Sequence, residues 1–264
     1  MTRALRVFDD VTALAAAAAD EWLTRAADAI AARGRFTAVL SGGSTSRHLF
    51  TALAARVAQG AAAVPHVAWE QVHVFWGDER TVPPSHPDSN YGSARTHLLA
   101  RLPVPEVNVH RMEGERPDPK EAAADYDAEI RRVLGLRAGE RPAFDLVCLG
   151  LGPDAHTASL FPGSPALAEQ ERLVTAPWVD EVGAHRITLT PLAFGQARVV
   201  IFLVAGVGKA EALRDVLEQD PDPARRPAQA IQPVDGSLTW MADRAAARLL
   251  APATLAAWRA EDEP

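Results

Sequence analysis

Four times in this chain a short apolar run stops in a glycine-bearing turn. Phe36–Leu40 meets Ser41-Gly42-Gly43, and Val72–Trp76 meets Gly77. Phe144–Leu149 meets Gly150-Leu151-Gly152, and Arg198–Val204 leads to Gly206-Val207-Gly208. Such runs, too short for core helices, read as strands covered on both faces. Helical patterns separate them: Val11–Arg33 with Gly34 as a stop, Leu49–Ala58, Gly92–Arg101, Pro119–Leu134, Gly208–Glu218 and Asp243–Leu250. Val107–His110 and Arg186–Thr190 add two more expected strands. Gly77–Asn90, with Pro83, Pro84 and Pro87, and Asp220–Pro227 read as loops. The alternation predicts an α/β fold: a mostly parallel, Rossmann-like, doubly wound sheet with helices on both faces. With no repeat and no long linker, residues 1–264 are expected to form a single domain. In such folds ligands bind beyond the carboxyl ends of the strands, where the glycine turns lie.

Composition narrows the partners. A net charge of −7 and a pI near 5.6 argue against a general nucleic-acid surface or binding to anionic membranes. An anionic small molecule would need a local positive site. The Ala13–Ala19 run is followed by Asp20-Glu21 and makes a poor signal-peptide core, and no stretch approaches the ~20 apolar residues of a membrane span. The single cysteine, Cys148, lies inside an apolar strand and reads as a buried small residue. A lone thiol makes no internal disulfide, so a cytoplasmic location is expected.

Four turns carry candidate chemistry. Ser41-Gly42-Gly43-Ser44-Thr45, between a strand and a helix, suits a phosphate: glycines allow close approach, and the helix start supplies N–H groups and partial positive charge. A plain strand-to-helix turn capped by Ser44 would look alike. Asp78-Glu79-Arg80 after Trp76 offers a guanidinium for a phosphate, or else a solvated loop with a local ion pair. His156, in the Gly150–Gly163 run, suits a general base that Asp154 orients, or is a surface histidine. Lys209, between glycine and a helix, is a second phosphate charge or an ordinary surface lysine. The pattern of the eight histidines and the single cysteine gives no metal-binding motif, and there is no G-x-S-x-G elbow. Neither a Walker A loop nor a G-x-G-x-x-G fingerprint is present, which disfavours a nucleotide.

Taken together and in order, these pieces resemble the glucosamine-6-phosphate isomerase/6-phosphogluconolactonase family over about residues 36 to 250. The resemblance rests on Leu40–Thr45, Trp76–Arg80 with Ser89-Asn90, the run from Gly150 through His156-Thr157-Ala158-Ser159-Leu160-Phe161-Pro162-Gly163, Arg186-Ile187-Thr188 and Gly208-Lys209-Ala210. Deaminases of this group usually carry Asp-Glu-Tyr in place of Asp78-Glu79-Arg80, and continue the histidine motif toward Asn-Glu-Pro-Gly where this chain has Ser159-Leu160-Phe161-Pro162-Gly163. Both differences favour the lactonase branch. One departure stands out: the family's Asp-Gly-His is Asp154-Ala155-His156 here. Alanine fits that position without strain only if its φ is negative.

The resemblance implies hydrolysis of 6-phospho-D-glucono-1,5-lactone in the oxidative pentose phosphate pathway, without metal or cofactor. It implies His156 and Asp154 as the catalytic pair. It also implies substrate or phosphate contacts from Ser41, Gly42, Gly43, Ser44, Thr45, Asp78, Arg80, Asn90, Arg186 and Lys209. The expected partner is a phosphorylated sugar lactone, and the expected state a monomer or weak homo-oligomer. Two rivals remain: a glucosamine-6-phosphate deaminase or isomerase, and a non-catalytic sugar-phosphate sensor.

Overall fold

The computed structural model of the chain describes residues 2–60 and 65–259; the remaining positions of the expected 1–264 domain lie outside the described residues. In chain order the elements are β1 (Thr2–Phe8), α1 (Val11–Arg33), β2 (Phe36–Leu40), α2 (Ser44–Ala58), β3 (Val72–Trp76), β4 (Asp78–Arg80), α3 (Asn90–His97), α4 (Pro119–Leu134), β5 (Leu146–Gly150), β6 (Val174–Thr175), β7 (Trp178–Val179), β8 (Ala184–Leu189), α5 (Pro191–Phe194), β9 (Val199–Val204), α6 (Ala210–Glu218), β10 (Ser237–Asp243), α7 (Arg244–Ala247) and α8 (Pro252–Arg259).

Six strands form a parallel sheet in the order β1-β10-β9-β5-β2-β3. Every residue of β2 and β9 is buried, so both faces of the sheet are covered. The fold class expected from the sequence is the one observed. Local chemistry sets the helix ends. The Asp10 carboxylate accepts from the Ala13 N–H at 2.9 Å to start α1, and Gly34, at φ 72, stops it. Asp118 and Pro119 open α4, and Gly135 closes it. Large aromatics fill the layers: Trp22 meets Phe36 edge-on at 4.9 Å, and Phe202 stacks on Trp240 at 4.0 Å. Cys148 is buried in β5, and burial pushes its thiol up to about 12. Among the described residues, no helix is long and apolar enough to cross a membrane.

The winding places the site. From β2 the chain steps outward to β3, whereas β5, β9 and β10 step the other way. The order reverses between β2 and β5, so the turns after these strands flank one crevice.

Several elements differ from the sequence reading. Gly77–Asn90 is not all loop: it contains β4, which pairs antiparallel with β8 in a small second sheet, β4-β8-β6, and β7 also pairs with β8. The expected strand Arg186–Thr190 therefore belongs to that sheet rather than to the parallel one. Val107–His110 is no strand; a 3₁₀ turn spans Glu106–Asn108, and Val109 makes one isolated bridge to Val74. The helix expected over Gly92–Arg101 is α3 followed by a 3₁₀ turn at Leu99–Arg101. The helix expected from Asp243 is the short α7, for which Asp243 is the cap, and β10 precedes it.

Candidate active site

The turn after β2 is built for close approach. Gly43 is the residue before α2, at φ 93, and no side chain caps the helix. Ser44 is therefore not the cap that the plain-turn reading required. The first turn of α2 carries no acidic residue, so its N–H groups and partial positive charge face outward unneutralised. Gly42 is required for a different reason. A Cβ there would lie 1.6 Å from Asn90 Oδ1, because the Asn90 amide packs directly over the glycine.

The charged run after β3 divides its roles. Glu79 is buried, and its carboxylate accepts from the N–H groups of Arg80 (2.8 Å), Asn90 (2.7 Å) and Tyr91 (2.8 Å) and from Ser89 Oγ (3.0 Å). It anchors the start of α3. Burial raises its pKa, against the pull of those backbone bonds. Asp78, also buried, accepts from Ser159 Oγ at 2.7 Å on Oδ2 and from Asn90 Nδ2 at 3.2 Å on Oδ1. Its main-chain carbonyl takes a further bond from Asn90 Nδ2 at 2.9 Å. Arg80 donates to the Asp88 carbonyl and lines the crevice. The local ion pair of the alternative reading is absent among the described residues. Arg186 faces Arg80 across the β4–β8 ladder; burial and the Arg80 charge lower its pKa.

The turn after β5 holds the histidine. Asp154 Oδ1 lies 2.5 Å from His156 Nδ1 and also accepts the His156 N–H at 3.2 Å. With an ionised carboxylate on Nδ1, the proton sits there and Nε2 carries the lone pair; that tautomer is assigned from the hydrogen bond. The ring stacks on Phe161 at 4.2 Å. Burial pushes the Asp154 pKa upward, but the hydrogen bond to His156, its charge and backbone N–H groups outweigh it, and the net shift is down. Gly152 leaves room for the pair: its N–H donates to the His156 carbonyl at 2.7 Å, and a Cβ would stand 2.1 Å from Nδ1. Ala155 does sit at positive φ, 65°, and Ala158 at 49°, so the loop holds two non-glycine residues in the left-handed region. The Ala155 carbonyl is tied to the Ala228 N–H at 3.0 Å.

These turns open onto one cleft of about 190 Å³. Ser41, Gly42, Gly43, Ser44, Thr45, Asp78, Arg80, Asn90, His156 and Lys209 all line it. Asp154 stands behind His156, and Arg186 beside Arg80; neither lines the wall. Lys209 is half-buried, and burial lowers its pKa while the Asp154 charge opposes the shift. Ser41 Oγ and Asn90 Oδ1 are buried at the wall without a hydrogen-bond partner among the described residues. No group of three or more His, Cys, Asp or Glu that could hold a metal ion occurs among those residues.

A sequence profile described as glucosamine-6-phosphate isomerases/6-phosphogluconolactonase matches residues 9–240. The chain belongs to that family. It is 45% identical over 229 residues to a 6-phosphogluconolactonase of Synechocystis, covering 87% of this chain and 90% of the relative. A human 6-phosphogluconolactonase is 44% identical over 250 residues, covering 93% of each chain. In three dimensions a 6-phosphogluconolactonase from Trypanosoma brucei superposes with a TM-score of 0.81 at 28% identity, covering 94% of this chain and 99% of that one.

Within the family site, the sequence reading missed two side chains, Thr157 and Ser159. Thr157 Oγ1 donates to the Gly150 carbonyl at 2.8 Å and fastens the base of the histidine turn. Both residues lie in the motif run, but a small hydroxyl gives no hint of its partner before the sheet is assembled.

Proposed function

We propose that this chain hydrolyses 6-phospho-D-glucono-1,5-lactone to 6-phosphogluconate, as the names of its family relatives indicate for those proteins. The observation that carries the reading is a histidine–carboxylate pair opening onto the same cleft as an uncapped helix start. The two features suit the two ends of a phosphorylated lactone. The phosphate sits at the Ser41–Thr45 turn, where the N–H groups of α2, Arg80 and Lys209 supply positive charge in a chain of net −7. Arg186 adds to the field from behind Arg80.

With the phosphate anchored, the lactone carbonyl lies near His156. Nε2 takes a proton from water, and the resulting hydroxide attacks the carbonyl carbon. Asp154 holds the ring through Nδ1 and stabilises the imidazolium. The tetrahedral intermediate collapses, the ring C–O bond breaks, and the imidazolium returns its proton to the leaving oxygen. The lactone is reactive enough for a general base alone, and phosphate binding supplies the orientation. The reaction belongs in the cytoplasm, consistent with one buried thiol.

The test follows lactone made in place from glucose 6-phosphate by its dehydrogenase, with and without the protein. His156→Ala is expected to lower kcat by ~10²–10⁴ with the fold intact. Turnover close to that of the unaltered chain would remove His156 as the base. No acceleration by the unaltered chain would overturn the activity itself.

A further inference from the structure

The proposed reaction gives no task to Asp78, the acidic side chain on the cleft wall. Its surroundings supply one. Asp78 is 6% exposed, and each carboxylate oxygen holds a different segment. Oδ2 takes the Ser159 hydroxyl at 2.7 Å, three residues beyond His156. Oδ1 takes the Asn90 amide at 3.2 Å, and that amide packs over Gly42 in the phosphate turn. Ser159 is 2% exposed and is pinned a second time, its N–H donating to Thr188 Oγ1 at 3.2 Å. Thr188 pairs with Asp78 itself across the β4–β8 ladder.

We propose that Ser159 and Asp78 are positioning residues: through this bridge they set the distance between the base and the phosphate turn. A lactone carrying its phosphate at one end and its carbonyl at the other has a fixed span. The histidine loop, which contains Ala155 and Ala158 in the left-handed region, would otherwise settle elsewhere. The Ser159 hydroxyl is the tie that joins this loop to Asp78 and, through Asn90, to the phosphate turn. Neither residue touches the reacting atoms. The proposal rests on the lactonase reading.

Ser159→Ala separates this role from a structural one. The expected result is a fall in kcat of about 10-fold to 100-fold, the scale of a misplacement near 1 Å. The phosphate turn stays intact, so calorimetry with 6-phosphogluconate should give an unchanged Kd and one site per chain. Kcat within about threefold of the unaltered chain would overturn the bridge, and so would a Kd weakened as much as kcat falls. If Ser159→Ala does not fold, Ser159→Thr and Ser159→Val, equal in shape and differing by the hydroxyl, replace it. Thr turning over at least about tenfold faster than Val at equal product affinity supports the bridge, and equal rates overturn it. An unaltered chain that leaves lactone decay at its spontaneous rate fails the lactonase reading instead, and that outcome is scored before any variant.

Discussion

Replacing Gly152 with alanine attacks the proposed catalytic pair, His156 and Asp154, without changing either member. Gly152 does not occupy the left-handed region, so the added methyl brings no backbone strain of its own. Its Cβ would stand 2.1 Å from His156 Nδ1, 2.4 Å from Cε1 and 2.5 Å from Asp154 Oδ1. Comfortable contact for such atoms begins near ~3.5 Å, so the ring has to retreat by about 1 Å or more. The 2.5 Å bond between Asp154 and His156 does not survive that retreat. Misplacement by about 1 Å costs roughly 10² in rate, which is about 2.7 kcal/mol of transition-state stabilisation. Steady-state lactone hydrolysis is the assay, run on Gly152→Ala, His156→Ala and the double variant. Kcat should fall about 10²-fold in Gly152→Ala, with KM within about threefold, because the phosphate turn lies on another strand. The double variant should be no slower than His156→Ala. A Gly152→Ala rate within about threefold of the unaltered chain, or losses that multiply in the double variant, would refute the reasoning.

Arg80→Ala should raise KM far more than Arg186→Ala, since only Arg80 lines the cleft; equal rises in steady-state kinetics would put Arg186 on the phosphate too. Asp154 has its pKa held below the usual carboxylate range, so its pairing stabilises the fold above the unfolded value of about 3.9 and is lost as pH falls through the lower folded value. Asp154→Asn should therefore lower Tm at neutral pH, and the gap to the unaltered chain should shrink as pH falls below the unfolded carboxylate value of about 3.9; a gap independent of pH contradicts the pairing. Ala155→Gly should be near neutral in thermal melts. Relief of about 1–2 kcal/mol of left-handed strain is offset by ~0.8 kcal/mol for a buried methyl and about 0.4–1 kcal/mol of unfolded-chain entropy. A loss above about 3 kcal/mol would mean that the methyl packs more tightly than its surroundings indicate.

Strands that are almost wholly buried were legible because they leave continuous apolar runs: Phe36–Leu40, inside the sheet, and Val72–Trp76, at its edge, match the sequence reading residue for residue. Two other strands, β1 and β4, hide behind their charges. Arg3 and Arg6 disguise β1, and Asp78-Glu79-Arg80 looks like loop because nothing local reveals that Glu79 will be satisfied by three N–H groups from Arg80 and the start of α3. In β10, Leu238, Trp240 and Met241 sit among Thr239 and Asp243 without clean alternation, so the sequence reading assigns the strand to no element and takes only its last residue, Asp243, as the start of a helix. At the site the glycine turns, Arg80, His156 and Lys209 were readable as residue types at strand ends. The links between them were not: Ser159 to Asp78 spans 81 positions, and no local pattern records a contact so distant in sequence.

Strand β1 pairs along its whole length with β10, Thr2 against Ser237 through Phe8 against Asp243. During synthesis β1 thus finds its partner only after 235 further residues, and at roughly 5–20 residues per second that takes on the order of 10 to 50 s. Throughout that interval the strand has no mate, and the Arg3 and Arg6 that conceal it in the sequence also keep its open edge charged against pairing with a neighbouring nascent chain. The turns that build the cleft, at the ends of β2, β3, β5 and β9, are all made before β10 closes the sheet. Synthesis therefore delivers the site first and the seal last.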